Sequence, residues 1–424
     1  MAARKGKRER RSASRGTRAA GSASRDLHRP ASLGAIGIEA EFAVIMDGEQ
    51  VRPEDAFGSP RRIVRGPLMH RTGRSYHLPT GSAVYFDTGV IELATPMIEI
   101  ERGCAARAGR SLWESILFMR RELDAWETSH GHDVQLSGFS THYNVSFDLL
   151  VDLRGSGRTV EKLALLLTYV LPAPIMLLAA NRQSTGVGVR PRGNRVEVTA
   201  DFTPDAALMI ATATLVVAVT REVMQWPSYE LDVLDDRERR DIPVFRHFAP
   251  VPHGSRKGWV ARYSCFPQNP FTANVDDPIW ETRGKAGDLV SLRHIAGRTT
   301  RHFWPSIRRI ADPFTLRLIG AVMAGRAPSL LELDDRPPAY DSVGRLCTWE
   351  DLFPERELSR SRYERVLIRA IHGDRLHLDG DDWYTPTGMR GWTHVIFRRD
   401  RDRTKHVFSL DYLLRHLDDW EARG

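Results

Sequence analysis

Apolar and polar positions alternate along GIEAEF, residues 37–42. A strand sends successive side chains to opposite faces. The pattern therefore predicts a strand over about Ile36–Ile45, with Glu39 and Glu41 on one face and Ile38, Ala40 and Phe42 on the other. The same period recurs three times. YFDTGVIELAT (85–95) reads as a strand pair. VQLSGFSTHYNVSF (134–147) reads as a strand with His142, Asn144 and Ser146 opposite Tyr143, Val145 and Phe147. RVEVTADF (195–202) places Arg195, Glu197 and Thr199 opposite Val196 and Val198. Asp87 and Glu92 have opposite parity, so a one-residue slip is predicted if both are to share a face, with Gly89 as the candidate bulge.

Between these strands the period lengthens to that of a helix. Leu112, Trp113, Ile116, Leu117, Leu123 and Trp126 predict a helix over about Ala105–Ser129, closed by His130 and Gly131. LALLLTYVLPAPIMLLAA (163–180) is barely long enough to span a membrane, and Pro172 and Pro174 interrupt it, so it reads as two short buried helical pieces. Thr203, Pro204 and Asp205 predict the N-cap, first residue and acidic first turn of a helix reaching Trp226. Residues 236–290 are rich in Arg, Pro and Gly, without period, and read as long active-site loops rather than core. From about Leu358 the pattern is a helix, short strands near Leu376 and His394–Arg398, then a helix through Leu413 and Trp420. The expected organisation is a tail (1–30), a main domain (31–355) and a small α/β unit (356–424).

Charge changes this picture only at the N-terminus. The chain of 424 residues carries a net +7, but residues 1–30 alone hold ten Lys/Arg against Glu9 and Asp26. The remainder is one charge negative, so no basic groove for nucleic acid is expected in the folded body. The tail lacks large apolar residues and is expected to be disordered. Cys104, Cys265 and Cys347 lie far apart, without metal-type spacing, which fits a reducing cytoplasm and a soluble protein.

Several strands each pair a polar face with an apolar one. Together Glu39, Glu41, Glu92, Glu197 and His142 offer four carboxylates and one imidazole, an oxygen-dominated set that suits Mg²⁺ or Mn²⁺. A solvated face is the plain alternative for any one of these strands. No Gly-rich phosphate loop competes, so a nucleotide would be held by metal ions and arginines.

GIEAEF, IELAT, the His142 strand and RVEV, in that order, resemble the glutamine synthetase and glutamate–cysteine ligase superfamily of carboxylate–amine ligases. TGSAVYFDTGVIELAT (80–95) is similar to the Gly-x-x-x-Tyr-x-Asp-x-Gly and Glu-x-Ala-Thr segments of its Pup ligase and depupylase branch. The C-terminal stretch with Trp383 and VFSLDYLLRHL also resembles that branch's compact C-terminal domain. The resemblance implies an α+β fold, a curved antiparallel sheet with helices on one face, plus the small C-terminal unit. It implies ATP and Mg²⁺ (or Mn²⁺), a carboxylate donor (a glutamate-terminated small protein or an amino acid) and an amine acceptor.

Residue by residue, it implies Glu39, Glu41, Glu92, His142 and Glu197 as metal ligands and Asp87 as the base for the amine. Arg182 and Arg195 would stabilise phosphate charge, and Asn144, Ser146 and Arg190 would contact nucleotide. The chain departs from the ligases at Thr199, where they often carry Arg, and its basic tail has no counterpart in them. Glu197 leans toward the glutamate–cysteine ligase side. About forty residues separate GIEAEF from YFDTG, a spacing similar to that of the ligases rather than the depupylases. A ligase for small substrates, a depupylase-like hydrolase and a non-catalytic nucleotide-binding scaffold are the other readings.

Overall fold

Burial decides which face of each strand turns inward. The computed structural model describes residues 34–146, 157–254, 258–283, 285–332, 360–378 and 382–423. The tail, Phe147, Cys347 and the boundary expected near 355 lie outside these. The strand expected at Ile36–Ile45 is β1 (Ala35–Met46), and its Ile36, Ile38, Ala40, Phe42 and Val44 are fully buried. In chain order there follow β2 (Glu49–Val51), β3 (Met69–Thr72), β4 (Ser75–His77), β5 (Ala83–Asp87), β6 (Val90–Ala94), β7 (Ile98–Glu99) and β8 (Val134–Ser146). Then come β9 (Val187–Arg192), β10 (Arg195–Asp201), β11 (Val251–Pro252) and β12 (Trp259–Ala261). These twelve strands form one antiparallel sheet, in the order β11-β12-β9-β10-β8-β1-β6-β5-β4-β3, with β2 and β7 also on β1.

Helices cover the apolar face. Cys104–His130 packs against β1, and Gly131, at φ 73°, ends it where an L side chain would be strained. Arg120 of this helix donates from Nη1 to the Val134 carbonyl (2.7 Å) and pairs with Asp124 and Glu127, pinning the helix to the start of β8. The apolar run at 160–180 is indeed two helices, Val160–Val170 and Pro172–Ala179, bent by 62° where Pro172 lacks an N–H. Among the described residues the single unbroken helix long and apolar enough to cross a membrane is Ala206–Met224, and 83% of its most apolar stretch is buried inside the fold, where it packs against β8. Its N-cap is Asp205, not Thr203, because the Asp205 carboxylate accepts the Leu208 N–H at 2.9 Å.

Residues 236–290 are not only loops. Phe245, Phe248, Phe266 and Trp280 are buried and meet ring to ring, so aromatic packing replaces the missing period. Two further strands, β13 (Trp280–Thr282) and β14 (Lys285–Val290), form a separate hairpin. At the C-terminal end, β15 (Leu376–Leu378), β16 (Asp382–Arg390), β17 (His394–Arg399) and β18 (Lys405–Ser409) make a four-stranded sheet. With the helix Arg362–His372 it encloses its own core of Tyr363, Leu367, Phe397, Leu413 and Trp420. This unit docks on the main sheet through Tyr363 N–H to Glu99 Oε1 (3.0 Å) and through Trp392 against His77, with rings 4.9 Å apart.

One irregularity lets β8 serve both faces. Its pairing with β1 shifts between Glu41↔Ser140 and Phe42↔Gly138, leaving Phe139 as an extra residue. Val134, Leu136 and Gly138 thus join the core, while the equally even-numbered Ser140, His142 and Asn144 join the polar face. A Cβ on Gly138 would lie 2.2 Å from the buried Phe202 ring, which packs edge-on against Phe42 at 5.3 Å. Gly138→Ala is expected to lower stability by about 1–3 kcal/mol through overpacking, read by denaturant unfolding. Unchanged stability would mean that the Phe202 ring is not fixed there.

Candidate active site

The polar face gathers its side chains through strand register. Glu39 stands opposite His142 on β8, and Glu41 stands opposite Ser140 on β8 and Glu92 on β6. His142 lies between the two glutamates, with Nδ1 3.6 Å from Glu39 Oε2 and Nε2 3.5 Å from Glu41 Oε1. Ser140 donates to Glu41 Oε2 at 2.6 Å, and Tyr85, opposite Glu92 on β5, donates to Glu92 Oε1 at 2.5 Å. Glu39, Glu92 and His142 each present one ligand atom, all within 4.8 Å of one another.

Two carboxyls this close cannot both ionise cheaply in a buried place. Burial and then the Glu39 charge push Glu92 up to about 8, with the Tyr85 hydrogen bond opposing. Burial also works against ionised Glu39, but the hydrogen bond and charge of His142, then Arg195, outweigh it and hold Glu39 at about 2. For His142, burial opposes protonation, yet the hydrogen bond to Glu39 and the charges of Glu41 and Glu197 raise its pKa. The imidazolium thus takes the place of a cation between carboxylates. An oxygen-rich set with one imidazole and a carboxyl forced to keep its proton fits a divalent ion such as Mg²⁺ or Mn²⁺.

Glu197 is on this face but not in that group. It is only 1% exposed and is held by two arginines of β9: Arg192 donates Nε to Oε2 (2.8 Å) and Nη2 to Oε1 (3.1 Å), and Arg190 pairs with it as well. Glu197 is thus not one of the three residues whose ligand atoms lie within 4.8 Å of one another, and arginines pair with it here. Arg190 also brings Nη2 to 3.5 Å from His142 Nδ1. Arg195 donates Nε to Asn144 Oδ1 at 2.7 Å, and Ser146 Oγ accepts the Ala35 N–H at 2.8 Å. Arg182 is exposed and donates Nε to the Leu331 carbonyl at 3.1 Å, while its neighbours Asn181 and Gln183 line a cavity beside His142.

The predicted slip at Gly89 is also absent. β5 and β6 form a hairpin with Thr88 and Gly89 at its tip, both at positive φ (49° and 99°), and Asp87 pairs with Val90. Residues facing each other across a hairpin share a side, so Asp87 lies on the face of Tyr85 and Glu92 without any bulge. It sits at the rim, where Thr88 Oγ1 donates to it at 3.2 Å.

Arg71, Tyr85, Asp201 and Trp392 also belong here and were not singled out from sequence. Tyr85 and Asp201 had a signal, since they continue the parity of Asp87 and of Glu197. Arg71 and Trp392 had none, because they arrive from β3 and from the β16–β17 turn. Two cavities flank the carboxylate–imidazole row. One, of about 310 Å³, is lined by Glu41, His142, Arg190, Asp201 and His253, with Phe139 exposed at its edge. The other, of about 330 Å³, is lined by Glu39, Arg71, Asn144, Ser146, Arg195 and Trp392.

The fold and site define an α+β protein with a buried acidic centre on one face of an antiparallel sheet. No protein-family model and no curated protein matches the chain. Among solved structures it is similar to the complex between the prokaryotic ubiquitin-like protein Pup and its ligase PafA, at 12% identity and a TM-score of 0.47, over 92% of this chain and 93% of that one.

The proton on Glu92 gives a signed prediction. The folded protein keeps it to about pH 8, whereas an unfolded chain releases it near 4.5, so stability is lost as pH rises between those values. In metal-free protein, Glu92→Gln should be about 1–3 kcal/mol more stable than wild type at pH 8.5 and nearly equal to it at pH 4. Denaturant unfolding at both pH values measures this; a difference that does not change with pH would contradict it.

Proposed function

We propose that this protein is an ATP-dependent carboxylate–amine ligase. The observation that carries the reading is the Glu39–Glu92–His142 group, set between two cavities and bordered by Arg71 and Arg195 on one side and by Arg190 and Arg192 on the other. Glu39, Glu92 and His142 would hold the divalent ion, whose chemistry is to neutralise nucleotide phosphate charge. The motif resemblance of GIEAEF, IELAT and RVEV supports the same class.

In this reaction a donor carboxylate oxygen attacks the γ-phosphorus of ATP, the bond to the ADP oxygen breaks, and an acyl phosphate forms. Arginine donors at fixed positions stabilise the charge on the transferred group. The acceptor amine then attacks the acyl carbon, Asp87 takes its proton, and phosphate leaves with the electron pair of the C–O bond. An amide or isopeptide, ADP and phosphate result. The motif resemblance to the Pup-ligase branch favours the C-terminal glutamate of a small protein as donor and a lysine as acceptor, and the few, widely spaced cysteines favour the cytoplasm.

Amide product and ADP release, followed with Mg²⁺·ATP, an amine and a glutamate-terminated peptide, test this. Asp87→Asn should lower product formation at least about 100-fold with nucleotide affinity kept, the loss expected for a missing general base. Glu41→Ala, which removes the acceptor of Ser140, should lower it as well. Nucleotide binding without turnover under any condition would contradict the ligase and leave a depupylase-like hydrolase or a scaffold.

A further inference from the structure

Asp87 stands at a turn that its own sequence disfavours. It ends β5, and Thr88 and Gly89 reverse the chain at φ 49° and 99° before Val90 opens β6. Two successive left-handed residues in a hairpin loop suit Asn-Gly. Gly89 meets that demand, but Thr88 is β-branched, and its side chain crowds the backbone at positive φ. Within the turn, Thr88 Oγ1 donates to Asp87 Oδ1 at 3.2 Å, so a shift of Thr88 would carry the Asp87 carboxylate with it.

A hold on this turn comes from another part of the chain. Glu54, in the short helix Pro53–Ala56, accepts the Gly89 N–H at Oε1, 3.1 Å away. A hydrogen bond to a carboxylate is stronger than one between neutral groups. Glu54 Oε2 is buried, makes no hydrogen bond among the described residues, and lies 3.9 Å from Arg52 Nε. Arg52 also covers the turn, with Cγ 3.7 Å from where a Cβ on Gly89 would stand. The helix is anchored in turn by Phe57, which is buried and packs edge-on against Trp126 at 4.9 Å and beside Phe86 of β5 at 6.3 Å. An acidic residue in a first turn ordinarily serves its own helix. Glu54 instead spends one oxygen on the backbone of the hairpin that carries Asp87.

We propose that Glu54 is a positioning residue for Asp87. It holds the strained Thr88–Gly89 turn in place, and the turn in its place keeps the Asp87 carboxylate directed at the amine whose proton it takes. Strain kept at a functional site needs surroundings that enforce it, and Glu54 is the group that does so here. It acts through the turn alone and takes no part in proton transfer. This rests on the reading of Asp87 as the base of a ligase.

Steady-state amide formation and hydrogen exchange at the Gly89 amide, both on the full chain, test this. Glu54→Ala should lower kcat at least about tenfold, the scale of a misplaced catalytic group, with the KM for ATP unchanged. It should also speed exchange of the Gly89 N–H at least about tenfold, as loss of a hydrogen bond to a charged group does. Glu54→Gln, whose amide oxygen can still accept, should keep most of both. Glu54→Asp keeps the charge but is one methylene short, so it should behave as Glu54→Ala even if that variant does not fold. In an Asp87→Asn background, Glu54→Ala should cost nothing further in kcat, because a residue acting through Asp87 has nothing left to position. An equal loss in both backgrounds, or Gly89 exchange unchanged in Glu54→Asp, would overturn the role while the ligase reading stood. A wild type that forms no amide would overturn the ligase reading, and with it the service of Glu54 to a base, whatever the exchange at Gly89.

Discussion

Three glutamates crowd around one histidine on a single sheet face, and the rest of the structure answers that crowding. Glu39 and Glu41 share the face because a strand alternates, Glu92 joins them because β6 pairs in register, and the apolar side chains opposite cannot exchange places with them without exposing the core. The repulsion cannot be relieved by moving a strand. It is relieved by protonation of Glu92, by the imidazolium of His142, and by arginines set around the group. Buried like charges are a cost to folding, and a cation bound among them would lower that cost.

Two local devices make the face possible. The extra residue Phe139 reverses the parity of β8, so one continuous strand contributes core residues in its first half and Ser140, His142 and Asn144 in its second. The tight Thr88–Gly89 turn folds β6 back on β5, so that Tyr85 can hydrogen-bond Glu92 and Asp87 can stand at the rim. Glu197 shows the opposite solution. Two arginines from the neighbouring β9 pair with it, and Arg190 is thereby held beside His142.

Much of this was legible in the sequence where the determinant is local. Alternation located β1, β8 and β10, and the apolar period located the helix from Cys104 to His130, because each pattern is set within one element. The same parity brought Glu39, Glu41 and His142 to one face. Reading failed where the answer depends on a neighbour. Asp87 and Glu92 were counted along one strand, whereas they face each other across a turn. Glu197 had the right parity, but which strand would lie beside β10, and with what charge, is not written in RVEV. The aromatic packing at 236–290 has no period to read, and Arg71 and Trp392 meet from segments more than 300 residues apart. The parity reversal in β8 had a signal, since Leu136 and His142 are both even-numbered yet of opposite character.

The central claim is that Glu39, Glu92 and His142 form a cation site. Anomalous diffraction from crystals grown with Mn²⁺ tests it most directly, because it locates the ion without relying on activity. The account predicts a manganese peak bonded to a carboxylate oxygen of Glu39, one of Glu92 and a ring nitrogen of His142, with Glu92 deprotonated at neutral pH. A map with no peak among these three residues at saturating manganese, and His142 still lying between Glu39 and Glu41, would contradict it.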